Sequence, residues 1–243
     1  MTTAQRPAFY ALARGGWRDY VTLLHPPYTL WHLSYVAIGA ALAPELEWQR
    51  LVWGLLAFFL GLGVGAHALD ELNGRPLATR IPSRALVLLA AASTGAAAAI
   101  GIAAALAWNL WLLAFVAVGV VLALGYNLEL FGGRLHGDNW FALAWGAFPV
   151  LTGYFGAADK LTVEAALAAG FGFALSRAQR QLSSVVRTIR RQTVDVSGEV
   201  AYADGRRDAV TAETLVAAPE RALKAMTVGI VALAISLVSI RLS

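Results

Sequence analysis

Apolar residues in this chain come in long uninterrupted runs. Seven of them fall at about 28–44, 51–69, 85–107, 110–126, 139–157, 161–180 and 223–241. Each comes near the ~20 mainly apolar residues that a helix needs to cross the hydrocarbon core of a bilayer. The pattern predicts an all-α, polytopic membrane protein with about seven transmembrane helices. The runs are rich in alanine and glycine, as in AASTGAAAAIGIAAALA over 91–107, a composition that lets helices pack closely. Residues 1–27 contain no such run. They mix Arg6, Arg14 and Arg18 with Phe9, Tyr10, Leu12, Trp17, Tyr20 and Leu24, which predicts a cytoplasmic N-terminal segment lying at the membrane interface. Residues 28–243 then form one transmembrane domain with cytoplasmic loops at 70–84, 127–138 and 177–222, and no signal peptide or internal repeat interrupts it.

Composition agrees with this reading. Only 14% of residues are charged, against roughly 25% in soluble domains, and mean hydropathy is +0.62. Cysteine is absent, which excludes disulfides, thiolate nucleophiles and cysteine-held zinc. An isoelectric point near 9.7 would suit a nucleic-acid binder, but the placement of the basic residues points elsewhere. With the N-terminus in the cytoplasm, sixteen of the 19 lysines and arginines fall inside, and only Arg50, Lys160 and Arg241 fall outside. The positive-inside rule therefore predicts a multi-pass protein of prokaryotic plasma-membrane type, N-terminus in and C-terminus out, that binds no nucleic acid.

Two cytoplasmic loops carry the candidate chemistry, and a central cavity opening on the cytoplasmic side is expected between them. In GVGAHALDELNGRPLATRIPSRAL, His67, Asp70 and Glu71 share a helical face by their i, i+3, i+4 spacing. Ionisable residues at the end of a span are functional candidates; the structural alternative is a membrane-boundary marker beside a packing histidine. Along the helix that ends in LSSVVRTIRRQ (182–192), at about 3.6 residues per turn, Arg177, Arg180, Arg187, Arg190 and Arg191 share one stripe, opposite Leu182, Val185, Val186 and Ile189. An arginine stripe at this depth either meets lipid headgroups or binds phosphate, whose oxygens match the guanidinium fork.

HPPYTLWHLSYVAIGAALAP at 25–44 and GYNLELFGGRLHGDNWFALAWGAFPVLTGYF at 125–155 resemble segments of the UbiA superfamily of intramembrane prenyltransferases. The first loop resembles that family's N-D-x-x-D motif followed by Arg75-Pro76-Leu77. The resemblance runs from about 25 to 200. It implies that acidic motifs face each other across a cavity and hold magnesium for a prenyl diphosphate. The departures are as informative. His67 stands where an aspartate is expected, with only Asp70 and the adjacent Glu71 left as acids. The family's D-x-x-D-D aligns with Arg187-Thr188-Ile189-Arg190-Arg191. Seven spans replace the usual nine, so a wall of the bundle is missing or comes from a partner subunit or a second copy.

The resemblance assigns roles accordingly. His67, Asp70 and Glu71 are catalytic, with Asp70 and Glu71 on one magnesium ion or none. Arg75, Arg180, Arg187, Arg190 and Arg191 bind phosphate. Trp31, Tyr126, Asn127, Trp145 and Tyr154 line the prenyl cavity; the alternatives are packing within the spans for Trp31, Trp145 and Tyr154, and helix capping or the aromatic belt for Tyr126 and Asn127. Asp138, Asp195 and Glu199 are loop carboxylates, either solvated or assisting a metal. Two functions follow: transfer of a prenyl group from an isoprenoid diphosphate to an acceptor the sequence does not specify, or noncatalytic binding of a lipid phosphate, as a complex subunit. A transporter ranks last, because no inverted repeat or broken helix pair is visible.

Overall fold

The computed structural model describes residues 6–242, and the ends of the predicted N-terminal segment and transmembrane domain, residues 1–5 and Ser243, lie outside it. The described chain is mostly helical. A short helix α1 (Trp17–Leu23) precedes seven long ones: α2 (Pro26–Leu42), α3 (Trp48–Leu72), α4 (Ser83–Ala107), α5 (Leu112–Asn127), α6 (Asp138–Ala158), α7 (Val163–Arg187) and α8 (Ala212–Ile240). A helix thus stands at each of the seven apolar runs. Four of them, α3, α4, α6 and α8, are long and apolar enough to cross a membrane. Helix α5 is apolar but shorter, α2 has 17 residues, and α7 carries a polar half. The expected interfacial N-terminal helix is reduced to α1, with Trp17 and Tyr20 exposed. The expected 177–222 loop is also shorter: α7 runs on through a π-helical turn at Thr188–Gln192, and α8 begins at Ala212. Between them an exposed two-stranded hairpin pairs β1 (Glu199–Ala201) with β2 (Arg207–Ala209), and Asp195 and Glu199 lie there, away from the bundle.

The helices alternate in direction, and helix α2 is their centre. Its contacts with α6 run in parallel, from His32 against the Trp145 carbonyl to Ala43 against Tyr154. Midway, the two backbones touch. A methyl group on Gly39 would collide with the Val150 carbonyl, and one on Gly153 with the Val36 carbonyl. Gly146 and Gly172 bring α6 and α7 together in the same way. Around this contact lies the main core of Trp31, Tyr35, Ile38, Val150, Ile230 and Ala234. Its polar atoms are satisfied internally, as an apolar surrounding demands: Trp31 donates to the Tyr35 hydroxyl at 2.7 Å, and Ser176 donates to the same oxygen at 3.1 Å.

The two ends of the bundle differ. One gathers the ends of α3, α5 and α7 with the beginnings of α2, α4, α6 and α8, and most of the arginines. At the other, Arg50 pairs with Asp159 at 2.7 Å, and Arg241 donates to the carbonyls of Ala41, Ala43 and Pro44 at the end of α2.

The glycine contact predicts an asymmetric response to added methyl groups. Gly153→Ala should lower the unfolding midpoint in detergent, at an overpacking cost of ~1–3 kcal/mol. Gly156→Ala, on the same helix but with nothing within 4 Å of the added methyl, should leave it unchanged. Matching midpoints for both variants would show that close packing of α2 and α6 does not limit stability.

Candidate functional site

The first loop folds around a buried acid. Beyond Leu72 the backbone takes left-handed conformations at Gly74, Arg75 and Ala78, which turn the chain back towards α4. Glu71, with no exposed surface, sits inside this turn. It accepts hydrogen bonds from the amides of Leu77 and Thr79 at 2.9 and 2.8 Å and from the Thr79 hydroxyl at 2.8 Å. Both carboxylate oxygens are therefore engaged, and Glu71 is a clamp for the loop rather than a group that meets substrate. Arg75 closes the same turn, donating to the Ile81 carbonyl and the Ser83 hydroxyl, each at 2.6 Å.

A cavity of about 780 Å³ opens at the arginine-rich end of the bundle. Ten of the predicted site residues line it: His67, Asp70, Arg75, Arg180, Arg187, Arg190, Arg191, Tyr126, Asn127 and Trp145. Three do not reach it. Glu71 points into its own loop, Trp31 is in the main core, and Tyr154 packs against Ala43 and Ala165 with its hydroxyl taken by Thr162. All four histidines of the chain, His25, His32, His67 and His136, line the cavity, and sequence reasoning singled out only His67. The other three come from separate elements and share no spacing; their only signal was that each sits near the same end of an apolar run.

Three π-helical turns border the cavity: Phe59–Ala66 in α3, Leu143–Ala147 in α6 and Thr188–Gln192 after α7. Such turns displace the regular i→i−4 ladder and free carbonyls for other donors. The Trp145 carbonyl takes the Nδ1 proton of His32 at 2.7 Å, and the Gly63 carbonyl that of His67 at 3.0 Å.

Six arginines line the cavity against two acids, Asp70 and Glu129. The arginines are not equivalent. Arg190 is paired with Glu220 at 2.5 Å. Arg180 meets Asp138 at 3.1 Å and lies over the Phe141 ring. Arg191 donates through Nε to the Pro7 carbonyl, and Arg187 spends one nitrogen on the Ser183 hydroxyl, 3.1 Å in each case. That leaves most of the Arg187 guanidinium donors turned to the cavity without an acid beside them. Asp70 has no hydrogen-bond partner among the described residues, and the charges of Arg187 and Arg191 reach it across the cavity. Among those residues no group of three metal-ligating side chains forms. The single magnesium ion assigned to Asp70 and Glu71 does not fit this donor set, since Glu71 is saturated by its loop and Asp70 faces guanidinium groups.

Residues 6–16 cross the mouth of the cavity. The Pro7 carbonyl rests on Arg191, the Phe9 ring lies against Tyr28 and under Lys224, and the Tyr10 hydroxyl is 2.7 Å from His25 Nδ1. Asp19, almost fully buried, ties this segment to the first loop by accepting from the amides of Gly15 and Arg80. Burial, and then the neighbouring Tyr28, pushes the Tyr10 phenol well above its usual range, so it keeps its proton and donates it to His25. His25 then carries its own proton on Nε2, which is enclosed and has no partner. The Tyr126 hydroxyl is a second enclosed, unpartnered group, on a residue that lines the same cavity.

Next to this polar cavity is an apolar crevice, about 170 Å³, between α2, α3, α4, α5 and α6. Its walls mix glycines and alanines, Gly54, Gly61, Gly101 and Gly119 among them, with the aromatic rings of Phe58, Phe115 and Phe148, and Arg50 and Trp108 also line it. Leu62 and Trp145 line both spaces, so the two adjoin. No family model, curated protein or solved structure matches the chain.

The histidine environment has a consequence for stability. Burial first, then the stacked His67 ring and the charges of Arg191 and Arg187, hold His25 well below the ordinary histidine range. The unfolded chain binds a proton there near pH ~6.5, and the folded chain refuses it. Stability is therefore fully present above that pH and falls below it, by up to ~1.4 kcal/mol per pH unit for one proton. Between pH 7.5 and 5, His25→Gln should flatten the fall in unfolding midpoint relative to wild type. Parallel profiles would mean that His25 is not a source of the acid sensitivity.

Proposed function

We propose that this protein is a UbiA-like membrane protein that binds an isoprenoid diphosphate, head in the arginine-lined cavity and tail in the apolar crevice, and transfers the prenyl group to an acceptor. The observation that carries the reading is the junction at Leu62 and Trp145, where a cationic cavity adjoins an apolar one. A molecule with an anionic head and a long apolar tail matches both parts at once.

Direct phosphate binding by arginine replaces the family's metal-bridged arrangement in this proposal. In the transfer step, the allylic C1–O bond breaks and the diphosphate leaves with the electron pair. Its developing charge is met by the preorganised guanidinium groups of Arg187, Arg180 and Arg191. The acceptor's heteroatom bonds to C1, and its proton passes to Asp70 or to Nε2 of His67. That nitrogen is free in the neutral ring because Nδ1 donates to Gly63. The loss of paired acids also favours a second reading, in which a lipid phosphate is bound without turnover as part of a membrane complex. Release of inorganic pyrophosphate from a prenyl diphosphate, with and without candidate acceptors, separates the two.

All seven long helices are proposed to span a prokaryotic plasma membrane, with the arginine-rich end in the cytoplasm, as the distribution of basic residues favours. A reporter that fluoresces only in the cytoplasm should be bright at the N-terminus and dark after Ser243. Brightness at both ends would require an even number of spans.

For the phosphate site the critical arginine is Arg187. In neutral-lipid nanodiscs, Arg187→Ala should weaken binding of a prenyl diphosphate by roughly tenfold or more, the value of one charge-assisted hydrogen bond. Arg187→Lys should also weaken it, since the planar fork is lost while the charge stays. Arg75→Ala should matter less, and binding should survive EDTA. If lysine serves as well as arginine, the stripe attracts headgroups only.

A further inference from the structure

The wall facing the arginines is made of hydrogen-bond acceptors. His32, His67 and His136 each approach a backbone carbonyl through Nδ1, at 2.7, 3.0 and 3.0 Å, to Trp145, Gly63 and Tyr126 respectively. A carbonyl only accepts, so the neutral form of each ring carries its proton on Nδ1 and presents a bare lone pair at Nε2. None of these three nitrogens meets a protein donor among the described residues, and all three rings line the cavity. Asp70 adds an unpartnered carboxylate beside them. The groups form one surface. His67 stacks on His25 at 4.1 Å and is close enough to His32 for the two to interact electrostatically, while His136 is similarly close to Asp70.

We propose that this surface binds the hydroxyl groups of a polyol, so that the second molecule taken by the cavity is a sugar-like or glycerol-like compound, phosphorylated where its anionic group meets the arginines. This rests on the reading of the cavity as an anion site and names the acceptor class for it. Four unpartnered acceptors, spread over helices α2 and α3 and the turn before α6, call for several O–H donors, more than a single phenol or simple alcohol offers. An amine would supply N–H donors but would arrive as a cation beside six arginines. At about 780 Å³ the cavity is of the size that holds small metabolites.

The test compares ribose 5-phosphate with butyl phosphate, which bears the same phosphate and no hydroxyls, by calorimetric titration of the full chain in neutral-lipid nanodiscs. Ribose 5-phosphate should bind roughly tenfold more tightly, the worth of one or two hydrogen bonds. His32→Phe and His136→Phe keep a ring in place and remove Nε2, and each should shrink that ratio, whereas Arg187→Ala should weaken both ligands and leave the ratio. Taking the ratio within each protein cancels any general damage to the fold, and the wild-type ratio stands without the variants. Equal affinities in wild type, or an advantage for the sugar that survives both phenylalanine variants, would overturn the polyol assignment while leaving the anion site intact. Failure of both phosphates to bind would overturn the anion site itself.

Discussion

The arrangement depends on one electrostatic constraint: several guanidinium groups share one partly enclosed end of a helical bundle, with too few acids to neutralise them. Each arginine meets it differently. Arg190 takes an ion pair with Glu220 on α8, Arg180 takes Asp138 and an aromatic face, and Arg191 takes a backbone carbonyl from the N-terminal segment. Arg187 is left with a serine hydroxyl. A partly desolvated cation with unfilled donors is costly unless an anion joins it, and this is why the cavity reads as a site rather than as surface.

The acids that could have relieved the charge are spent on the backbone. Glu71 and Asp19 are both buried, and both accept main-chain amides, Glu71 within the first loop and Asp19 between that loop and the segment before α1. They fix the floor and the mouth of the cavity but contribute nothing to its interior donors. Among the described residues only Asp70 faces inward as an unpaired acid, and the histidines bring ring nitrogens to the same wall. The cavity thus has a cationic wall on α7 and an accepting wall on α2 and α3, joined by the π-helical turns whose freed carbonyls orient His32 and His67.

Much of this was legible along the chain. Long apolar runs have no other stable use than helices that hide their backbone groups, so the seven helices follow from composition and length. The arginine stripe was legible because a single helix carries it, and periodicity within one element is a local property. By contrast, the separation of Asp70 from Glu71 was not. Adjacent residues on a helix end share a neighbourhood in sequence, and only the positive-φ turn at Gly74, Arg75 and Ala78 decided that one carboxylate meets the loop and the other the cavity. Trp31 and Tyr154 were misplaced for a similar reason: an aromatic residue in a span has the same sequence signature whether it faces a core or a void.

The sequence by itself determined an α-helical membrane chain, the two polar loops and the charge that gathers at one end, because these depend on local hydropathy and spacing. Tertiary structure alone decided that His25, His32, His67 and His136, from different segments, converge on one space, and that Nδ1 of His32, His67 and His136 meets a backbone carbonyl. The approach of His32 to the Trp145 carbonyl accompanies the register in which α2 meets α6, with backbone contact at Gly39 and Gly153. Such a register is a property of two surfaces fitting together, and no pattern within either helix encodes it alone.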